Sequence, residues 1–223
     1  VVTTAQDIVS AEKLVFPGVG AFGNMMRILY AKKYIEPLKA YLGSNRPFFG
    51  ICLGMQVLFG YSEEAPESGG LNIIPGSVKR FDIGLAVPHI GWNGVNFKQT
   101  SRIFNGLDAD AKFYFVHSYY VVPEDDSVVL TTTNYDTEFV SSIQKENIFA
   151  TQFHPEKSGP SGQKLLGNFI RGAKDKTQPL SVLGTTRLAK RIIACLDVRS
   201  NDQGDLVVTK GDQYDVREDG HVR

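Results

Sequence analysis

Apolar positions change their period along this chain, and each change predicts a different kind of element. Residues 1–12 are polar with helical character, and a short apolar run at 13–16 predicts a buried parallel strand. From 24 to 41 the apolar residues Met25, Met26, Ile28, Leu29, Ile35 and Leu38 recur at helical spacing, predicting one or two amphipathic helices packed on a sheet. The run 47–59 reads as an apolar strand, an abrupt turn and a helix continuing to about Glu64. Gly69-Gly70 and Pro75-Gly76 make residues 67–82 loop-like, with a short strand at 77–81. Beside Pro88, His89 reads as a turn residue, and Trp92 as core or an interface anchor.

The runs 113–122, 127–133, 139–143 and 148–153 are rich in β-branched and aromatic residues and are separated by turn signals, predicting a meander without helices. An amphipathic helix over 161–173, with Leu165, Leu166, Phe169 and Ile170 on one side, closes the domain. Strands and helices in this order make the chain α/β, with one domain over residues 1–173. Residues 174–187 are polar, contain Pro179 and lack periodicity, as a linker does; strand-like text resumes over 188–223.

A chain of 223 residues, 42% of them hydrophobic, can bury a core as one large domain or a domain with an appendage, and a globular, soluble chain is expected. Its 24 basic residues balance 24 acidic ones, so there is no bulk field to gather nucleic acid or an anionic membrane, and the expected partners are a small molecule or a protein. Cys52 and Cys195 each lie in apolar, strand-like text, which argues against a disulfide scaffold and for a reducing compartment. His89, His117, His154 and His221 are scattered without ligand spacing, so no metal is expected. No apolar run approaches the ~20 residues of a membrane span, and no signal peptide is recognisable. Val1 is not an initiator methionine, so the start of the chain is expected to be missing.

Cys52 carries the first candidate chemistry. Gly50 and Gly54 flank it at Gly-x-Cys-x-Gly, the cysteine form of the nucleophile elbow, in which residues without a Cβ let strand and helix approach around a strained nucleophile. A sulfur at a helix N-terminus is expected to favour the thiolate. The alternative is a small buried cysteine in a strand-to-helix connection. A partner base is available in the apolar strand that ends at His154, with Glu156 two residues later. The imidazole can take the thiol proton, and the carboxylate can fix its tautomer and stabilise its charge, which completes a Cys-His-Glu triad.

The stretches 16–20 (Phe-Pro-Gly-Val-Gly), 50–56 (Gly-Ile-Cys-Leu-Gly-Met-Gln) and 152–159 (Gln-Phe-His-Pro-Glu-Lys-Ser-Gly) together resemble the class I glutamine amidotransferase family. More narrowly, 88–93 (Pro-His-Ile-Gly-Trp-Asn) and 114–119 (Tyr-Phe-Val-His-Ser-Tyr) resemble the glutaminase part of the imidazole glycerol phosphate synthases. The likeness runs from about residue 13 to 170. It implies a flavodoxin-like open sheet with the nucleophile elbow, and Cys52, His154 and Glu156 as catalytic residues. It further implies that Gly18 and Val19 form an oxyanion strand working with the N–H of Leu53. Gln56 would line the glutamine pocket, Glu64 would receive the α-ammonium, and His117, Ser118 and Tyr119 would hold the carboxylate end. The stretch around Trp92 would face a cyclase. Read without the resemblance, these same residues fit an ordinary turn, a solvated helix end and a strand with one polar face equally well.

Beyond the linker, 187–199 and 205–211 resemble the opening strands of the cyclase half of those enzymes, a (β/α)8 barrel. The resemblance implies that Asp197, at a strand's C-terminal end, is an acid/base carboxylate of the cyclase, and that Arg191 and Lys210 lie near the passage from the glutaminase and the active-site face. Only residues 188–223 represent this half, whereas a barrel needs roughly 250, so the barrel is truncated.

Glutaminase and cyclase motifs in this order resemble the fused, bifunctional form of the family. That form implies glutamine as substrate, no cofactor, and ammonia passed to a phosphoribulosyl formimino-carboxamide ribotide in the cyclase domain of the same chain. Its products, imidazole glycerol phosphate and an aminoimidazole carboxamide ribotide, serve histidine and purine synthesis. Localisation is expected to be cytoplasm or plastid. Two other readings stay open: a glutaminase of the guanylate, anthranilate or carbamoyl phosphate branches, and a non-catalytic binding module that keeps the elbow as scaffold. In the family a strand and helix precede the point where Val1 falls, so an unpaired sheet edge is expected, and weak or no glutaminase activity from these residues alone.

Overall fold

The computed structural model describes residues 1–172 together with 197–200 and 206–209. Helix α1 (Ala5–Ser10) starts under a capping box in which Thr4 Oγ1 accepts the Asp7 N–H at 3.2 Å and the Asp7 carboxylate accepts the Thr4 N–H at 2.8 Å. Strand β1 (Leu14–Gly18) follows, then the amphipathic pair α2 (Phe22–Ala31) and α3 (Ile35–Gly43), which bury Phe22, Met26, Leu29, Leu38 and Leu42. Strand β2 (Phe48–Cys52) is buried at every position, as an uninterrupted apolar run in a parallel environment requires.

Helix α4 (Leu53–Gln56) is one turn long and does not continue to Glu64 as its sequence predicts. The carbonyls that would extend it are taken by a crossing segment: Leu71 N–H donates to Val57 O at 2.8 Å, and the N–H groups of Ile73 and Ile74 donate to Leu58 O at 2.8 and 3.1 Å. Tertiary hydrogen bonds replace the i→i+4 ladder, and the chain turns into β3 (Tyr61–Ser62). Strand β4 (Gly76–Arg80) lies where the sequence puts it.

His89 opens the strand β5 (His89–Gly94) and is fully buried, which corrects its reading as a turn residue. Its ring stacks on Tyr135 at a centroid distance of 4.0 Å and on Phe115 at 4.9 Å, so aromatic packing outweighs the turn signal of the preceding proline. After β6 (Asn96–Phe97), the predicted strand 113–122 is split at Ser118 into β7 (Lys112–His117) and β8 (Tyr119–Pro123). The two halves join different sheets, β7 pairing with β5 and β8 with β4. Strands β9 (Val129–Tyr135), β10 (Thr137–Lys145) and β11 (Ile148–Thr151) form the expected meander, and α5 (Gly159–Arg171) closes the domain. Gly172, at φ 68°, supplies the left-handed residue that ends α5.

The main sheet has nine strands and is mixed, running β1-β2-β11-β10-β8-β4-β3, with β9 also on β10 and β6 on β9. Strands β1, β2 and β11 form a contiguous parallel set of three, the part that corresponds to an open α/β sheet, and β3 and β4 make a second, short parallel pair at the far edge. Their register sets Gly18 opposite Cys52 and Ile51 opposite Thr151, so three strands end together at one point. Phe48 belongs to a core with Ile8, Met26, Leu38 and Leu58, whereas Phe49 and Ile51 belong to a second core with Phe113, Phe153 and Phe169. Alternate side chains of β2 thus anchor opposite faces, which fixes its register. At the other end of the parallel set, β1 is the last strand in the order and Val15 is 43% exposed.

Strands β12 (Asp197–Ser200) and β13 (Leu206–Thr209) form a unit of their own, paired antiparallel. Barrel staves are parallel and need crossovers between them, so this pair is a local hairpin. The linker 174–187 and the positions Arg191 and Lys210 lie outside the described residues, as does most of 188–223.

Candidate active site

The elbow forms because two residues lack side chains. A Cβ on Gly50 would meet the Gly54 carbonyl oxygen at 2.5 Å, and one on Gly54 would collide with the carbonyl oxygen of Phe16. With both absent, α4 packs against β1 and β2, and Cys52 takes φ 53° and ψ −106°, a left-handed conformation that few side chains adopt.

The sulfur is almost enclosed. Burial pushes the Cys52 thiol up to about 12; the Leu53 N–H and the Gln152 amide pull it down, while the Glu156 charge adds to the rise. The expected helix-stabilised thiolate is therefore corrected: a one-turn helix has little dipole, and desolvation dominates. The resting group is a thiol.

His154 is brought to the same place by β11 and by its neighbours. Its N–H donates to Tyr114 O at 2.8 Å, and its carbonyl accepts from Ser158 Oγ at 2.6 Å. Ser158 Oγ in turn accepts the Tyr114 N–H at 2.9 Å, so His154 is bound to β7 on both sides. His154 Nδ1 lies 2.6 Å from Glu156 Oε1. Burial acts to raise the Glu156 carboxyl, but the hydrogen bond and charge of His154 overcome it and hold it below the usual carboxylate range. Donation from Nδ1 leaves the buried Nε2 with its lone pair and without a hydrogen-bond partner among the described residues. Cys52 Sγ accepts from Gln152 Nε2 at 3.4 Å.

A cavity of about 250 Å³ opens beside the sulfur, and most of the sequence candidates line it. Cys52, Leu53, His154 and Val19 are among them, with Gly18 packed directly against Leu53. Gln56, Glu64, His117, Ser118 and Tyr119 also line it, the last three from the break between β7 and β8. Glu64 is half-buried, and its carboxylate accepts the Phe22 N–H at 2.8 Å, joining the cavity wall to the start of α2. Glu156 is not among the lining residues and meets the His154 ring from the Nδ1 side. Trp92 sits on β5 against Tyr114, at a ring distance of 6.3 Å, and is not among the lining residues. Asp197 lies at the start of β12, in the separate hairpin.

Two residues acquire a place the sequence did not suggest. Gln152, polar in an otherwise apolar strand end, contacts the sulfur; a lone amide in such a run was the available signal. His89 Nδ1 meets His117 Nε2 at 3.2 Å, so His89 contacts a residue that lines the cavity.

Comparison with known proteins follows the same geometry. A family model described as "Glutamine amidotransferase class-I" matches residues 3–173. The chain is 49% identical, over 97% of its length, to 37% of "Imidazole glycerol phosphate synthase hisHF, chloroplastic" of Arabidopsis thaliana. It is 50% identical to hisHF of Schizosaccharomyces pombe, over 95% of this chain and 41% of that protein. Against "Imidazole glycerol phosphate synthase subunit HisH" of Syntrophotalea carbinolica it is 50% identical over 73% of this chain and 82% of that protein. The chain thus spans about two fifths of the fused relatives and most of the separate subunit. Among solved structures, a glutamine amidotransferase superposes with a TM-score of 0.57 at 18% identity, covering 77% of this chain and 84% of that one, which shows a shared fold. No described helix is long and apolar enough to cross a membrane.

Proposed function

The chain belongs to the class I glutamine amidotransferases, and from that premise we propose that it is the glutaminase part of an imidazole glycerol phosphate synthase, with Cys52, His154 and Glu156 as its triad. The observation that carries this reading is the convergence of Cys52 and the free Nε2 face of a carboxylate-oriented His154 on one polar-rimmed cavity.

The chemistry follows from the groups present. His154 Nε2 takes the thiol proton as Cys52 Sγ attacks the glutamine carboxamide carbon, and the Leu53 N–H, with the strand at Gly18 and Val19, receives the oxyanion. Collapse breaks the C–N bond, and His154 returns the proton to departing ammonia. Water then adds to the thioester, giving its proton to His154, and glutamate leaves as the sulfur is reprotonated. Glu156 keeps the imidazole in the Nδ1–H tautomer throughout and stabilises its cation. In this reading Glu64 receives the substrate α-ammonium, Gln56 lines the pocket, and His117, Ser118 and Tyr119 hold the carboxylate end.

Ammonia released here is consumed by a cyclase that uses a phosphoribulosyl formimino-carboxamide ribotide. The naming of the relatives supports that partner, and the matched fused proteins support its presence on the same chain, with residues 188–223 as its beginning, Asp197 as one of its acid/base carboxylates, and Trp92, Arg191 and Lys210 at the junction. The place of action is cytoplasm or plastid, the latter as for the chloroplastic relative of Arabidopsis thaliana.

The test combines labelling and turnover. A glutamine-mimicking electrophile should modify Cys52 and spare Cys195. Glutamate release, measured with an added cyclase subunit, should rise with the ribotide and vanish in Cys52→Ala. Equal labelling of both cysteines overturns the glutaminase reading; release indifferent to the ribotide overturns its assignment to this synthase.

A further inference from the structure

A continuous hydrogen-bonded chain runs from the nucleophile to the second sheet. Gln152 Nε2 donates to Cys52 Sγ at 3.4 Å, and Gln56 Nε2 donates to Gln152 Oε1 at 3.1 Å. Gln56 Nε2 also donates to the backbone carbonyl of Tyr119 at 3.2 Å, which accepts from His117 Nδ1 at 2.9 Å as well. His117 Nε2 meets His89 Nδ1 at 3.2 Å. Gln56, Gln152, His89 and His117 are all buried.

One group decides the direction of every bond in this chain. The Tyr119 carbonyl can only accept, so Gln56 must turn its nitrogen toward it, and that nitrogen's other hydrogen must then meet the oxygen of Gln152. The Gln152 nitrogen is thereby aimed at the sulfur, which is held as an acceptor. By the same logic His117 carries its proton on Nδ1, its Nε2 accepts, and His89 donates from Nδ1. His89 Nε2 is left as a lone pair with no partner among the described residues, which is the opposite end of the polarity.

We propose that Gln152 is a further catalytic residue that stabilises the Cys52 thiolate by a direct amide N–H, and that Gln56 is a positioning residue that aims this amide by anchoring it to the Tyr119 carbonyl. The role rests on the glutaminase reading for its purpose but not for its chemistry. A nearly enclosed sulfur has lost its water and needs a donor when it becomes an anion. Gln152 supplies that donor from the strand side, on the same strand end that two residues later supplies the base. The other charged or titratable groups around the sulfur are His154, Glu156 and Lys157 from the loop after β11, His117 and Tyr119 from the β7–β8 break, and Glu64 across the cavity.

The test measures iodoacetamide alkylation of the full chain from about pH 6 to about pH 10, resolved by peptide mass spectrometry so that Cys195 is an internal control. Gln152→Met removes the donor, whereas Gln56→Met keeps it but removes what aims it. Alkylation of Cys52 at neutral pH should fall about tenfold in Gln152→Met, the equivalent of a one-unit rise in its pKa, and by a smaller factor in Gln56→Met, with Cys195 unchanged. Folded Gln152→Met with a wild-type pH profile overturns the proposal. If that variant does not fold, a wild-type profile in Gln56→Met overturns it equally. Alkylation requires no glutamine chemistry, so this result is independent of labelling by the glutamine mimic, which tests the functional reading.

Discussion

His154 and Glu156 are joined through Nδ1 and Oε1 at 2.6 Å with a single proline between them, the imidazole buried and the carboxylate half open to solvent. The short 3-10 turn Pro155–Lys157 makes so local a pair possible, because it turns the Glu156 side chain back onto the ring. Imidazole and carboxylate therefore travel as one rigid piece.

Replacing Glu156 by Gln should leave the turn intact but remove the charge that holds the tautomer. Glutamate release is expected to fall on the order of a thousandfold at saturating glutamine. The ionised Glu156 is favoured in the native state, so its contribution is full above the unfolded carboxylate range and is lost as pH falls through its lowered native value. Denaturant unfolding across the acid range should accordingly be less pH-dependent in Glu156→Gln; an identical acid limb in both proteins contradicts this.

Gly54→Ala places a Cβ into the Phe16 carbonyl, part of the backbone of β1, where no side chain can swing away. A loss of about 3 kcal/mol or more is expected by urea denaturation, at the upper end of what overpacking costs. Alanine at the exposed Gly43, where a Cβ meets nothing within 4 Å, should cost far less and serves as the control.

The buried pair His89 and His117 should each be neutral at pH 7 with the proton on Nδ1. Burial lowers His89 to about 4 and His117 to about 3, the latter also under the influence of His89. Below the unfolded value of about 6.5 the unfolded chain binds protons that the native pair refuses, so stability falls as pH drops through the window from there toward 4. Nitrogen-15 chemical shifts of the two rings report the tautomers directly. A protonated Nε2 on His117 at pH 7 contradicts the assignment.

Much of the parallel core could be read from local text. An unbroken apolar run such as 47–52 has few outlets other than a doubly buried strand, and Gly-x-Cys-x-Gly encodes its own steric reason. What escaped was set by distant partners. Nothing in 57–64 announces that its carbonyls bond to residues 70–74, so its sequence predicts a longer helix than the fold contains. Ser118 gives no sign of dividing 113–122 between two sheets, although that break is what turns His117 and Tyr119 toward the cavity. His89 reads as a turn residue because its proline neighbour is visible in sequence while its stacking partners Phe115 and Tyr135 are remote. The sequence assigns Gln152 no role, since an amide's orientation depends on a carbonyl that only the fold supplies.

The register that sets β2 between β1 and β11 also fixes when chemistry can begin during synthesis. Cys52 and Gln152 meet across 100 positions, and the imidazole arrives two residues later still. A ribosome that has made the elbow has made a cysteine with no base, no amide donor and no second parallel neighbour for its strand. Between the elbow and β11 the nascent chain consequently carries its cysteine without the imidazole and the amide, and Cys52, Gln152 and His154 come together only once β11 inserts. Timing, as well as geometry, makes this site a late product of synthesis, and in the proposed glutaminase no cleavage precedes the insertion of β11.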